Sequence, residues 1–423
     1  MLNKILTALH DAGVENYLIK QQTTETVELF FIKKKLDMRR AKDEMLATVT
    51  VYRDFESDGA AMRGASDALI SPDMDETEIA LALRDAYAAA GHVKNPAFQL
   101  YEGRTEPEQV IPSALAAHSL AEDAAAMAEA LFRPDTRPDA FLNSAEIFAE
   151  RRQVRIVSSA GTDVGYVKHR CQGEFVVQCL QPKDVEQYFH FDYDDLDTAA
   201  LEQKAAAALN TVCDRAKAEK SPAGGEYDIV LSGENVKTVL EFYLRRANAS
   251  MVYAKYSDYA PGAAVQGEKV HGEKLNITAE PDAPYSAEGI PMAERSFITD
   301  GKLQFLHGAT RFCRYLGIEP TGNYRRFRVE NGAVPFDELK RGCLYPVSFS
   351  DFQMDASTGR FGGEIRLAYL FTDTGVEILT GGSINGSLLE KQDDLTFSAE
   401  RYTEAGYEGP FAVKFKAVAV AGC

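Results

Sequence analysis

SFITDGKLQFL, residues 296–306, decides the fold class. Apolar and polar residues alternate on both sides of Asp300-Gly301. That dipeptide tolerates the positive φ angles of a two-residue hairpin turn, so the segment predicts two antiparallel strands. GEIRLAYLFTDTGVEILTG (363–381) and FAVKFKAVAVAG (411–422) alternate in the same way. From 285 onward the chain therefore reads as strands and turns. Just before it, YDIVLSG (227–233) predicts a strand and ENVKTVLEFYLRRANAS (234–250) a helix with Val239, Leu240, Phe242, Tyr243 and Leu244 on its apolar face.

Working back, EKSPAGGEYD (219–228) combines Ser, Pro and Gly-Gly between two patterned segments, which marks a linker. The expected domains are 1–222 and 223–423. The first opens with an amphipathic helix over 1–16, carrying Leu2, Ile5, Leu6 and Leu9. Alternation over 26–54 predicts two or three antiparallel strands, with SDGAA as the following turn. Helices are expected at 75–93 and 112–132, strands over 143–180, and a long helix at 197–218. The class is α+β: an N-terminal domain of mixed helices with a small antiparallel sheet, and a C-terminal domain rich in antiparallel sheet.

Composition narrows the function. The 423 residues suit two or three domains. Net charge is −18, which argues against nucleic-acid or anionic-membrane partners. Arg325, Arg326 and Arg328 form the densest basic cluster, too small to outweigh that total. Tyr and Phe are not interleaved with basic residues as a base-stacking platform requires. The six cysteines, at 171, 179, 213, 313, 343 and 423, include no C-x-x-C pair. Scattered thiols fit a reducing compartment, and the expected location is cytoplasmic. The opening twenty residues do not read as a secretion signal, and no run of about 18 apolar residues exists to span a membrane.

No familiar catalytic motif stands out. The seven histidines are never closer than 21 residues, His169 to His190, so no helix carries two imidazoles one turn apart for a shared zinc. GGSIN around Ser383 lacks the second glycine of a nucleophile elbow and reads as a tight turn. GAAVQGEK (262–269) has P-loop glycine spacing, but Glu268 stands where a lysine would meet phosphate. HFDYDDLD (190–197) lacks the glycine turn and closing glutamate of a calcium loop and reads as a solvated acidic loop leading into a helix.

An ordered series of motifs carries a resemblance. It runs GEKV (267–270), AEGIP (287–291), ITDGKLQFLHGATRFCRYLGIEPTGNYRR (298–326), then GP (409–410) and VAVAG (418–422). This order resembles the TldD/PmbA family, also called modulators of DNA gyrase or TldD/TldE peptidases. Family motif positions that imply a peptide cavity are Glu288, Gly289, Thr321, Gly322 and Asn323. Ser286 and Pro320 depart from the family's Asp and Ser. More weakly, VSSAG (157–161) resembles an Asn-Ser-x-Gly segment, with Ser158 for Asn.

The resemblance implies one of two kinds of chain. TldD-type chains carry H-E-x-x-x-H on a helix soon after the domain boundary, with a C-terminal Cys completing a zinc site and the Glu as general base. TldE-type chains lack it and pair with a TldD-type chain. In the corresponding helix here, Glu241, Phe242 and Arg246 occupy the motif positions. Arginine stays protonated and cannot ligate zinc. Without the histidine pair, Cys423 is expected to be incidental rather than a ligand. The expectation is a non-catalytic subunit with no catalytic residue, no metal and no cofactor of its own. Its partner would be a zinc-bearing TldD-like subunit, and the pair would process extended, unfolded peptides. The alternative is a stand-alone homodimer that binds peptides or another protein without cleaving them. A third reading is a divergent hydrolase using His190 with Asp192, Asp194 and Asp195.

Overall fold

The computed structural model describes residues 1–404 and 406–422. The first sheet takes β1 (Asn16–Ile32), β2 (Lys35–Ser57), β3 (Ala60–Ile70), β4 (Gln109–Val110), β5 (Ala140–Ser158), β6 (Asp163–Cys179) and β7 (Val185–Tyr193). Its order is β3-β2-β1-β5-β6-β4, with β7 also on β6. Every pairing is antiparallel except that of β4 with β6.

Successive side chains in a strand point to opposite faces, and this sheet uses both. On one face, Ile19, Val49 and Val51 pack under α1 (Leu2–Asp11) and α2 (Glu76–Ala90). On the same face, Ile147, Ala149 and Phe175 pack under α3 (Leu120–Phe132) and α4 (Thr198–Lys217). The other face presents Val154, Ile156, Val164 and Tyr166 to Ala283 and Tyr285 from the second half of the chain. Local chemistry starts the helices: Asp75 and Ser119 form capping boxes with Glu78 and Glu122, and Asp197 caps α4.

The second half continues with β8 (Gly225–Ser232), α5 (Glu234–Arg246), α6 (Ala249–Tyr253), β9 (Ile277–Glu280), β10 (Arg295–Thr299), β11 (Lys302–Leu303), α7 (Thr310–Tyr315) and β12 (Arg326–Val329). Then come β13 (Leu344–Met354), β14 (Arg360–Thr372), β15 (Gly375–Leu379), β16 (Ser383–Ser387), β17 (Thr396–Phe397), β18 (Arg401–Glu404), β19 (Tyr407–Pro410) and β20 (Ala412–Ala421). One sheet runs β11-β10-β9-β12-β19-β18. The other runs β13-β8-β20-β16-β14-β15, with β17 on β20. Because β13 also pairs with β14, five of its strands close into a ring, which removes exposed edges. Helix α5 fills the space between, burying Phe242 and Tyr243 among Phe297, Phe327 and Phe415.

The α+β class and the sheet-rich second half are as the sequence predicts. Asp300 and Gly301 have φ of 49° and 75°, and Thr299 pairs with Lys302 across the turn. Four expectations change. The first sheet is not small: β2 alone spans 23 residues. The helix expected over 112–132 starts only at Leu120, because Ser113 and Ser119 each cap a separate turn. The helix expected over 234–250 breaks at Ala247, where Asn248 caps α6. His190–Tyr193 of the expected acidic loop belong to β7, drawn into the sheet by pairing with β6. Among the described residues, no helix is long and apolar enough to cross a membrane.

Candidate functional site

Helix α5 forms because Val236, Val239, Leu240, Tyr243 and Leu244 recur every three or four residues and bury one face. Glu234 in the first turn and Arg245 and Arg246 in the last suit the helix dipole. Its C-terminal end is tied to other motif segments. The His307 amide donates to Ala247 O (3.1 Å), and the Ala249 amide donates to His307 O (2.7 Å). Asn248 Nδ2 donates to Asn323 Oδ1 at 2.8 Å.

His307 is the pin of this junction. Its ring is buried. Nδ1 accepts from the Tyr324 amide at 3.2 Å, which leaves the Nε2 proton to be donated to Leu244 O at 2.9 Å. Burial pushes the imidazole down to about 4, so it is neutral near neutral pH. Gly308 bridges Gly322, and the Gly308 amide donates to Thr321 Oγ1 at 3.3 Å. Gly322 has φ of 75°, and a Cβ there would lie 2.7 Å from Ser286 Cβ. The segments around 248, 286, 307 and 321 thus meet at one place.

Glu288 sits beside them. Its Oε2 accepts from the Thr310 amide (2.8 Å) and Thr310 Oγ1 (2.9 Å). Burial raises its carboxyl above the usual range, partly offset by those two bonds. Glu288 and Thr310 face Tyr17, Tyr52 and Ser158 of the first half. The space between them is about 20 Å³, room for a water and not for a peptide side chain. Gly289 has φ of 78°, and a Cβ there would lie 2.3 Å from Thr162 Cγ2. The weak motif at 157–161 therefore abuts the strong one at 287–291.

The three positions on α5 do not converge on a metal. Glu241 pairs with Arg245 at 3.0 Å. Phe242 lies wholly in the core. Arg246 is buried; Nη1 donates to Ser357 O (3.0 Å) and Nη2 to Asp258 Oδ1 (2.9 Å). Its guanidinium lies over the rings of Tyr259 (5.1 Å) and Phe242 (5.5 Å). Zinc requires lone pairs from imidazole, thiolate or carboxylate, and this donor set does not fit it. Among the described residues, no three His, Cys, Asp or Glu side chains are grouped to hold a metal. Cys423 lies outside the described residues.

The acidic segment is spent on structure. Arg170 clamps Asp192 through Nε at 2.6 Å. Asp194 pairs with Arg326, and Asp195 accepts from the Ala114 amide at 2.6 Å. His190 Nε2 meets Glu234 Oε1 at 2.7 Å, and that bond raises the imidazole above its ordinary value. These four side chains do not form a nucleophile–base set. Sequence reasoning missed the role of His307, which stands in a motif but carries no local signal of its contacts.

Residues 224–422 match the family model described as the PmbA/TldA metallopeptidase C-terminal domain. A protein named "Metalloprotease" from Methanothermobacter thermautotrophicus is 24% identical over 279 residues, 59% of this chain. The chain spans 57% of that relative's length. In structure, the chain is similar to TldE from Thermococcus kodakarensis, with TM-score 0.76, 14% identity, and coverage of 99% and 100% of the two chains. A protein from Thermotoga maritima described as a modulator of a DNA gyrase gives TM-score 0.77, 14% identity, and 99% of each chain. One of like description from Bacteroides thetaiotaomicron gives 0.76, 17% identity, and 100% and 99%.

Proposed function

We propose, from the premise that this chain belongs to the TldD/PmbA family, that it is a TldE-like subunit without its own catalytic metal. It pairs with a TldD-like subunit that holds zinc, and the two process extended peptides. The observation that carries this reading is the chemistry of α5. A permanently charged guanidinium, fastened to Asp258 and Ser357, stands on the helix where the family's catalytic chains need an imidazole. This chain's part is then to bind and orient peptide and to wall off the site. Backbone groups at sheet edges are suited to hold an extended peptide by strand addition.

Affinity purification of the tagged chain from its native host, with mass spectrometry of what accompanies it, tests the reading. The expected companion is one chain bearing H-E-x-x-x-H in equal amount, with about one zinc per pair and none in this chain alone. Recovery of the chain with itself only, at concentrations where subunits pair, overturns it in favour of a homodimeric binding protein.

A further inference from the structure

Between its two pairs of helices the first sheet carries a cleft. Along β1 the helix-bearing face reads Ile19, Gln21, Thr23, Glu25, Val27 and Leu29. Ile19 packs under α1 and α2, and Val27 and Leu29 under α3 and α4, while the polar residues between them belong to neither core. The register sets Arg155 of β5 opposite Gln21, and both Gln153 of β5 and Met45 of β2 opposite Thr23. Residues 105–108 close one side, where Thr105 bridges Asp163. The cleft these residues line holds about 460 Å³, within the range of small-molecule sites.

Most of its charge is answered from within. Arg155 grips Asp163 through Nε and Nη2, both at 2.9 Å. Glu106 is held by Arg104 and the Tyr285 hydroxyl. Glu106, Glu108 and Asp163 against Arg155 leave −2 on the walls, and Arg104, outside them, cancels one more. The remainder is Glu108, which makes no ion pair among the described residues; its Oε2 accepts from Gln153 Nε2 at 2.6 Å, and Oε1 has no donor. The hydroxyls of Thr23 and Thr105 and the Oε1 of Gln153 have no partner among the described residues either. Gly165 keeps the floor open beside the carboxylate: a Cβ there would lie 2.9 Å from Val154 O and 3.6 Å from Glu108 Oε2.

We propose that this cleft binds a primary alkylammonium group. An ammonium supplies three donors and one positive charge, which the cleft's spare acceptors and its single uncompensated carboxylate call for. Charge-assisted bonds to Glu108 are the strong contacts, and the Met45 thioether gives methylene groups a soft apolar surface. A free polyamine and the lysine side chain of another polypeptide share this chemistry.

The test is calorimetric titration of the full chain, at physiological ionic strength, with putrescine, with N-acetyl-lysine amide, and with butanediol as the uncharged counterpart. One amine per chain is expected to bind, about tenfold more tightly than the diol, the scale of a charge-assisted hydrogen bond. Tighter binding of putrescine assigns the site to free polyamines; tighter binding of the lysine amide assigns it to a polypeptide side chain. Glu108→Gln is expected to abolish the preference for amine over diol. Thr105→Val, which keeps the carboxylate, is expected to weaken amine binding about threefold, and it carries the test if Glu108→Gln lowers the thermal midpoint. Equal binding of amine and diol, no binding of either amine, or a preference untouched by both variants overturns the site. Several amines bound per chain, in Glu108→Gln as in the wild type, would be attraction to an acidic surface as a whole and overturns it too.

Discussion

His307 joins three segments through four hydrogen bonds, two from its backbone and two from its ring. Both ring nitrogens are engaged, one as acceptor, so protonation breaks the bond from Tyr324. Its folded value of about 4 lies below the ordinary histidine value of 6.5. The unfolded chain therefore binds more protons between those values, and stability rises with pH there. The contribution is complete above about pH 6.5 and is lost as pH falls towards 4, about 3 kcal/mol in all. Denaturant titrations from pH 7 to 4 should show a steeper decline for the wild type than for His307→Gln; parallel curves would refute the assignment. Gly289 is a second single-residue control. Alanine there meets a positive φ and Thr162 Cγ2 at 2.3 Å. Gly289→Ala should cost about 2 kcal/mol or more. Adding Thr162→Ser, which removes that methyl, should recover part of the loss; if it recovers none, the contact is not the cause.

At the scale of elements, β2 is not uniform. Ala47–Tyr52 lies between β1 and β3 and Arg53–Ser57 pairs with β3 alone, while the outer part, Lys35–Leu46, pairs with β1 alone. The outer part is an edge that carries Lys35, Arg39, Arg40 and Lys42, the kind of charge that discourages another strand from adding. Glu28 inside the hairpin answers part of it, pairing with Arg40 and Lys42, and Glu44 lies 4.0 Å from Lys42. Amide hydrogen exchange followed by mass spectrometry should show peptides from 33–46 exchanging well before those from 47–52, which are paired on both sides. Equal protection in the free chain would mean that the edge is already covered by another copy. Helices α5 and α6 show the same dependence on neighbours. The periodicity of 234–250 continues past Ala247, but His307 takes the carbonyl that would extend the helix.

At the scale of the whole molecule, polar contacts tie the two halves together. Lys204 of α4 reaches Glu404 of β18 at 2.5 and 2.6 Å, and Tyr369 donates to Asp214 at 2.8 Å. Glu404 is buried and also accepts from Tyr402. Removing the ammonium leaves a buried charge with one neutral partner. Lys204→Met should therefore lower stability by roughly 3–5 kcal/mol. The change should be read by thermal unfolding at matched ionic strength. A loss below about 1 kcal/mol would mean that water reaches the carboxylate and the pair is no more than a surface contact.

Local patterns in the sequence were enough for the class and for many of the elements. The Asp300-Gly301 turn, the capped starts of α2 and α4, and the alternation from 285 onward each depend on neighbours within a few residues, so each is legible in order along the chain. The absence of histidine from 234–250 is equally legible, and with it the chemistry that α5 lacks. Tertiary structure decided what distance along the chain conceals. It drew His190–Tyr193 into a strand, set Gly289 against Thr162, and fastened Arg246 to Ser357 and Asp258. It also paired Arg326 with Asp194 and Arg328 with Glu280. The physical reason is that pairing register and charge compensation are contacts between separate segments, from His190 against Glu174 to Gly289 against Thr162, and no periodicity within either segment records them.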